Sequence, residues 1–141
     1  METKEKTIIT VETIVNVPVE KAWECWSNPS DIINWCSASP DWHTPRAEND
    51  LRVGGKFTTR MEAKDGSMGF DFGGEYDAVI PNEYIEYTIG DGRRVEITFT
   101  ARGNKTHIVE SFEAEDMNPV EMQRGGWQAI MDNYKKYTEG K

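Results

Sequence analysis

The constraint that most limits this chain lies between residues 53 and 113. Five stretches of alternating apolar and polar residues are separated by short turn signals. Residues 53–63 place Val53, Gly55, Phe57, Thr59 and Met61 on one side and Lys56, Thr58, Arg60 and Glu62 on the other. Side chains of a strand alternate between its two faces, so this pattern is a half-buried strand. Asp65-Gly66 then marks a hairpin turn. Residues 69–80 set Phe70, Phe72, Gly74, Tyr76, Ala78 and Ile80 on one face, and Gly73-Gly74 in mid-strand predicts a bulge or sharp bend. Beyond the Pro81-Asn82 turn, Ile85, Tyr87 and Ile89 alternate. After Asp91-Gly92, Val95, Ile97, Phe99 and Ala101 do the same. After Gly103-Asn104, Ile108, Glu110 and Phe112 share a face. Strands joined by such short turns form an antiparallel sheet.

The segments on either side decide what covers that sheet. Residues 7–17 are β-branched and partly alternating, which predicts another strand. Pro18 fits the first turn of a helix over 18–27, with Val19, Ala22, Trp23 and Trp26 at helical spacing. Asn28 is an N-cap, Pro29 a first residue and Asp31 a first-turn acid of a second short helix. Residues 36–50 read as irregular. At the other end, Asn118 as N-cap, Pro119 and the capping-box Glu121 begin a long helix. Its stripe is Val120, Gln123, Trp127, Ile130, Met131, Tyr134 and Tyr137, and it reaches about Thr138, roughly 30 Å at the usual rise. Gly125-Gly126 inside it implies a close backbone approach or a bend. The expectation is an α+β protein of one domain over residues 1–141. A curved antiparallel sheet of about six or seven strands wraps a long C-terminal helix, with two short helices after the first strand. In this helix-grip architecture the space between sheet and helix is a candidate ligand cavity.

Charge and composition exclude several functions. Sixteen Lys and Arg against twenty-five Asp and Glu leave a net charge of −9. An acidic surface argues against binding a phosphate backbone and against a polybasic membrane anchor. No apolar run approaches the roughly 18 residues that span a bilayer. The charged, polar stretch from Met1 to Thr7 has no signal-peptide core. The expectations are therefore no nucleic acid, no membrane insertion and a cytoplasmic location. Mean hydropathy is low at −0.70, yet five Trp, five Tyr and five Phe supply ample area for a core.

Several residues resemble a known family. Val17-Pro18-Val19-Glu20-Lys21-Ala22-Trp23, then Asn28-Pro29 and Trp35, resemble the beginning of START-like (SRPBCC) domains. Asp50-Leu51-Arg52-Val53-Gly54-Gly55-Lys56-Phe57 is similar to the motif of the branch related to the activator of heat-shock-protein-90 ATPase. Gly74-Glu75-Tyr76, Ile85-Glu86-Tyr87, Val109-Glu110-Ser111-Phe112-Glu113 and Gly126-Trp127 fit the same pattern. The resemblance implies a helix-grip fold with a cavity. It further implies a binder of small apolar or amphipathic molecules, a chaperone-interaction module, or a polyketide cyclase or aromatase. Co-chaperones of this kind also carry a separate N-terminal chaperone-binding domain, for which the residues before the first strand leave no room.

The chemistry-bearing residues are few. Two histidines and two cysteines occur without the spacing of a metal site, and Asp41 with His43 is a weak pair. Neither a metal nor a cofactor is expected. Cys25 and Cys36 read as small, partly buried residues rather than nucleophiles, and no nucleophile elbow is present. Glu110 stands out because alternation puts it on the core face, between Ile108 and Phe112. Either it reaches solvent or a structural arginine at an edge or bulge, or it is the polar group of an apolar cavity, orienting a ligand or acting as acid or base. Asp71 falls on the surface. Arg60 or Arg93 is a candidate cation at the cavity. The expected ligand wall is Trp35, Trp42, Phe57, Thr59, Met61, Phe72, Tyr76, Tyr87, Glu110, Trp127, Met131 and Tyr134. Catalytic residues are not assigned, save Glu110 if the protein is an enzyme.

Overall fold

A computed structural model describes residues 7–37 and 39–141; the expectations for residues 1–6 and for Ala38 lie outside them. The elements run β1 (Ile8–Val15), α1 (Val19–Ser27), α2 (Pro29–Trp35), β2 (Trp42–Asn49), β3 (Lys56–Ala63), β4 (Gly69–Ile80), β5 (Tyr84–Ile89), β6 (Arg94–Arg102), β7 (Lys105–Glu113) and α3 (Val120–Gly140). The strands form one sheet in the order β1-β7-β6-β5-β4-β3-β2, with antiparallel neighbours throughout. It curls into a half-barrel gripping α3, the expected helix-grip fold.

The inner face follows the alternation closely in β1, β5, β6 and β7. Ile9, Val11, Val15, Val95, Ile97, Phe99, Ile108 and Phe112 are buried there. Trp23 and Trp26 of α1 meet Phe99 edge-on at 5.1 and 5.8 Å. Cys25 is buried in the same core. Tyr134 of α3 is fully buried, with its ring against Trp26 and Trp35 and its hydroxyl donating to the Ala22 carbonyl at 2.5 Å. Asp31, beyond closing the first turn of α2, is a buried tie to the last helix. Its Oδ1 accepts from Tyr137 and Lys141, both at 2.5 Å.

The structure corrects several sequence expectations. Residues 42–49 are a strand, not an irregular segment. β2 is the edge of the sheet, and its pairing with β3 shifts register between His43 and Arg46, around Pro45. A proline removes a ladder donor and is tolerated at an edge for that reason. Val53 is exposed rather than inward. Gly54, at φ +82°, and Gly55 belong to a turn that pairs with Tyr76, so β3 begins only at Lys56. In β4 the irregularity lies between Tyr76 and Ala78, not at the glycines. One extra residue reverses the facing, so Val79 packs on the core while Ile80 is exposed. Gly73 and Gly74 instead mark crowding: a Cβ would lie 2.5 Å from the Phe57 carbonyl oxygen and 2.4 Å from that of Thr88. Ala101, near the end of β6, is exposed. Asn118 does not cap α3. Pro119 holds the N-cap position without a side-chain bond, and Val120 is exposed. The helix start is held by Gln123, whose amide donates to the carbonyls of Glu115 and Asn118 at 3.1 and 2.8 Å and accepts from the Glu115 amide at 2.9 Å.

Candidate functional site

Between the inner face of β2–β5 and the flank of α3 lies a cavity of about 460 Å³. β3 contributes Phe57, Thr59 and Met61, and β4 contributes Phe72 and Tyr76. Tyr87 comes from β5, Glu110 from β7, and Trp127 and Met131 from α3, while Trp35 ends α2 and Trp42 opens β2. Eleven of the twelve expected wall residues are therefore brought together. Tyr134 is the exception, because its ring fills the core behind the wall.

The rings brace one another. Phe57 meets Tyr87 edge-on at 4.7 Å and lies 5.3 Å from Tyr76. Trp127 stacks on Phe112 at 3.7 Å and turns its edge toward Phe72 at 6.1 Å. Tyr76 is further fixed by its hydroxyl, which donates to Asn49 Oδ1 at 2.5 Å; the Asn49 amide reaches the Ser27 carbonyl at 2.6 Å. Trp42 and the half-exposed Phe70 face each other at 5.9 Å.

Glu110 is the polar exception in this surface. It lies opposite Val11 on β1 and Ile97 on β6, with 6% of its surface exposed. Among the described residues, none makes a hydrogen bond or ion pair with its carboxyl. Burial pushes the carboxyl up to about 8, because the charged form loses water without gaining a partner. Its field is felt nearby. The Cys36 thiol is pushed up to about 12, first by burial and then by Glu110. The Tyr87 hydroxyl is raised well above its usual value for the same two reasons in the same order. Of the two readings open for this residue, the inward one describes its position.

The two candidate arginines differ. Arg93 touches the cavity, but its guanidinium is held by Asp91 at 2.8 Å and by the Glu113 carbonyl at 3.3 Å. Arg60 is not on the wall. It pairs with Glu62 at 2.8 Å and Asp71 at 3.6 Å, and Asp71 is exposed as expected. Asp41 and His43 are both exposed, and among the described residues no three His, Cys, Asp or Glu side chains are gathered to hold a metal ion. No helix among them is long and apolar enough to cross a membrane.

Sequence reasoning missed part of the wall. Trp26 reads as core yet also touches the cavity, Cys36 faces it from the end of α2, and Met122 reaches its mouth. Gly125-Gly126 is expected to mark a close approach or a bend; no close approach is found, since a Cβ at either would meet nothing within 4 Å, and the missing side chain of Gly126 opens onto the cavity. The aromatic neighbours of Cys36, and the one-turn spacing of Met122 from Gly126 beside Trp127, were the available clues.

A curled antiparallel sheet around one long helix, with an aromatic cavity between them, defines the helix-grip class. The chain belongs to the family described as activator of Hsp90 ATPase homolog 1-like protein, whose profile matches residues 16–139. Solved structures agree. An AHSA1-like protein from Aeromonas hydrophila is 39% identical, with a TM-score of 0.89 over 95% of this chain and 93% of that one. A protein from Cytophaga hutchinsonii is 59% identical, with a TM-score of 0.82 over 94% and 92%. One from Chromobacterium violaceum, at 22% identity and a TM-score of 0.84 over 94% and 96%, shares the fold. No functionally curated protein matches the chain.

Proposed function

We propose that the protein binds a small apolar or amphipathic molecule in the cavity between sheet and helix, without a cofactor. The observation that carries this reading is the cavity itself: about 460 Å³ walled by aromatic and Met side chains, with one buried carboxyl on its surface that no described residue partners. Apolar walls provide affinity through burial, at about 25 cal/mol per Å² of ligand surface, and the few polar groups fix orientation. The site residues are the eleven wall residues named above, from Trp35 to Met131. The test is a titration followed by amide and Trp-indole NMR, with fatty acids, flavonoids and polyketide-like aromatics. Shifts gathered at Trp42, Phe57, Glu110, Trp127 and Met131 support the reading. A well-folded spectrum that no compound perturbs overturns it.

A second reading is a chaperone-interaction module. The family description supports it, and so does the exposed apolar group of Met117, Val120 and Met122 at the start of α3. Stimulation of a chaperone ATPase that is lost in Met117→Ser/Met122→Ser would establish it; an unchanged ATPase removes it. A cyclase-like reaction would use Glu110 as its acid–base group. Turnover that survives Glu110→Gln excludes that mechanism.

A further inference from the structure

The chemistry of the cavity narrows the class of ligand. Its wall carries three carboxyl groups, those of Glu48, Glu110 and Glu115, against one guanidinium, that of Arg93, and one exposed imidazole, that of His43, which faces Glu62 at 3.9 Å. The arginine is already engaged by Asp91 and by the Glu113 carbonyl. Nine wall side chains are Trp, Phe or Tyr. The faces of such rings carry partial negative charge and attract cations. At the inner end sits Glu110, buried and without a partner among the described residues. The groups that face it from the surrounding elements offer it no charge. Cys36 at the end of α2 and Tyr87 on β5 are neutral, Tyr76 on β4 donates to Asn49, and the α3 wall residues from Met122 to Met131 carry no titratable group. A buried carboxylate needs a positive partner or hydrogen-bond donors, and no described residue gives Glu110 either.

We infer that the cavity is built for an amphipathic cation, an ammonium group on an aromatic or alicyclic body, whose charge pairs with Glu110 while the body lies among the rings. This inference rests on the cavity-binding reading. Such binding is coupled to a proton. Glu110 is mostly protonated in the empty protein at neutral pH, since burial holds it near 8, and the cation requires it ionised. Affinity for a permanently charged ligand therefore rises with pH by about tenfold per unit below that value and levels off above it.

The probes are 2-naphthylmethyl-trimethylammonium and 2-neopentylnaphthalene, its neutral isostere with carbon in place of nitrogen. Calorimetric titration at pH 9 is expected to give at least about tenfold tighter binding for the cation. Its affinity should fall about a hundredfold between pH 9 and pH 6, while that of the neutral probe does not fall. Glu110→Gln should abolish both the preference and the pH dependence. Should that variant fail to fold, titrations of the unaltered protein at pH 7 in buffers of different ionisation enthalpy still decide the matter: close to one proton is released per cation bound. A neutral probe that binds as tightly as the cation, or a cation affinity that ignores pH, overturns the inference and leaves the cavity reading standing. Binding of neither probe overturns both.

Discussion

The two halves of the sheet are built differently. In β1, β5, β6 and β7 the inward residues are almost completely buried: Ile9, Val95, Ile97 and Ile108 have no exposed surface. In β2, β3 and β4 Thr59 and Tyr76 are buried, but most of the large inward residues are less covered, with Trp42, Phe57, Met61 and Phe72 half-buried and Phe70 exposed. The first half packs aliphatic side chains with the rings of Phe99 and Phe112, and its strands reach the cavity, among the described residues, only through Ile85, Tyr87 and Glu110. The second half props rings against one another around a space. Folding stability is concentrated where the core is dry, and binding capacity where it is not. Glu110 belongs to both, because its backbone lies in the packed half and its carboxyl looks into the other.

That contrast can be broken or sharpened by experiment. The largest effect is expected at the seam. Glu110 has a folded-state value near 8, above its ordinary value of 4.5. The folded protein thus holds a proton that the unfolded chain has released. The stability this contributes is complete below about pH 4.5 and is lost as pH rises through 8. The loss is roughly 1.4 kcal/mol per pH unit, several kcal/mol in all. Urea unfolding of Glu110→Gln and the parent between pH 5 and 8 should diverge with that slope, the variant becoming relatively more stable; parallel curves would show that the carboxyl is not buried. Next comes the packed half. Ile97→Ala should cost about 3 kcal/mol by denaturant unfolding, as a fully enclosed cavity forms. A loss below about 1 kcal/mol would mean that this half is loosely packed too. Tyr134→Phe should cost about 1–2 kcal/mol, because the buried Ala22 carbonyl loses its donor, and should leave ligand binding unchanged. A clear loss of affinity would move Tyr134 from the core onto the site. The smallest stability change is expected on the cavity wall. Phe72→Ala should cost only about 1 kcal/mol, since the ring already borders a void, while weakening any cavity ligand; a cost as large as that of Ile97→Ala would erase the distinction between the halves.

The packed half is legible in the sequence because period-two alternation and tight turns reinforce each other. From Ile85 to Phe112 every inward residue except Ala101 follows the pattern. Legibility fails where local chemistry is decided at a distance. β2 has no alternation, and Pro45 argues against a strand unless it is known to lie at an edge, which only the fold determines. The shift after Tyr76 that turns Val79 inward leaves no mark in composition. Asn118 carries every local feature of a cap, yet its side chain is engaged by Glu115 instead. For the site, alternation located Phe57, Thr59, Met61, Phe72, Tyr76, Tyr87 and Glu110 together. Tyr134 shares the helical stripe of Trp127 and Met131, but lies two turns beyond Trp127, past the end of the cavity. Periodicity specifies a face and not a depth along it.

Gly126 has a consequence of its own. A glycine inside a helix gives up about 1 kcal/mol relative to alanine, and here no neighbour requires it, since a Cβ would find open space. What the bare backbone provides is room at the cavity surface. Single-nucleotide changes can replace a glycine codon with one for alanine, serine or valine. Each step would shorten the list of molecules that fit while strengthening or barely weakening the helix that forms one wall. Selection on this scaffold can therefore narrow its range of ligands through one position, without passing through unstable intermediates.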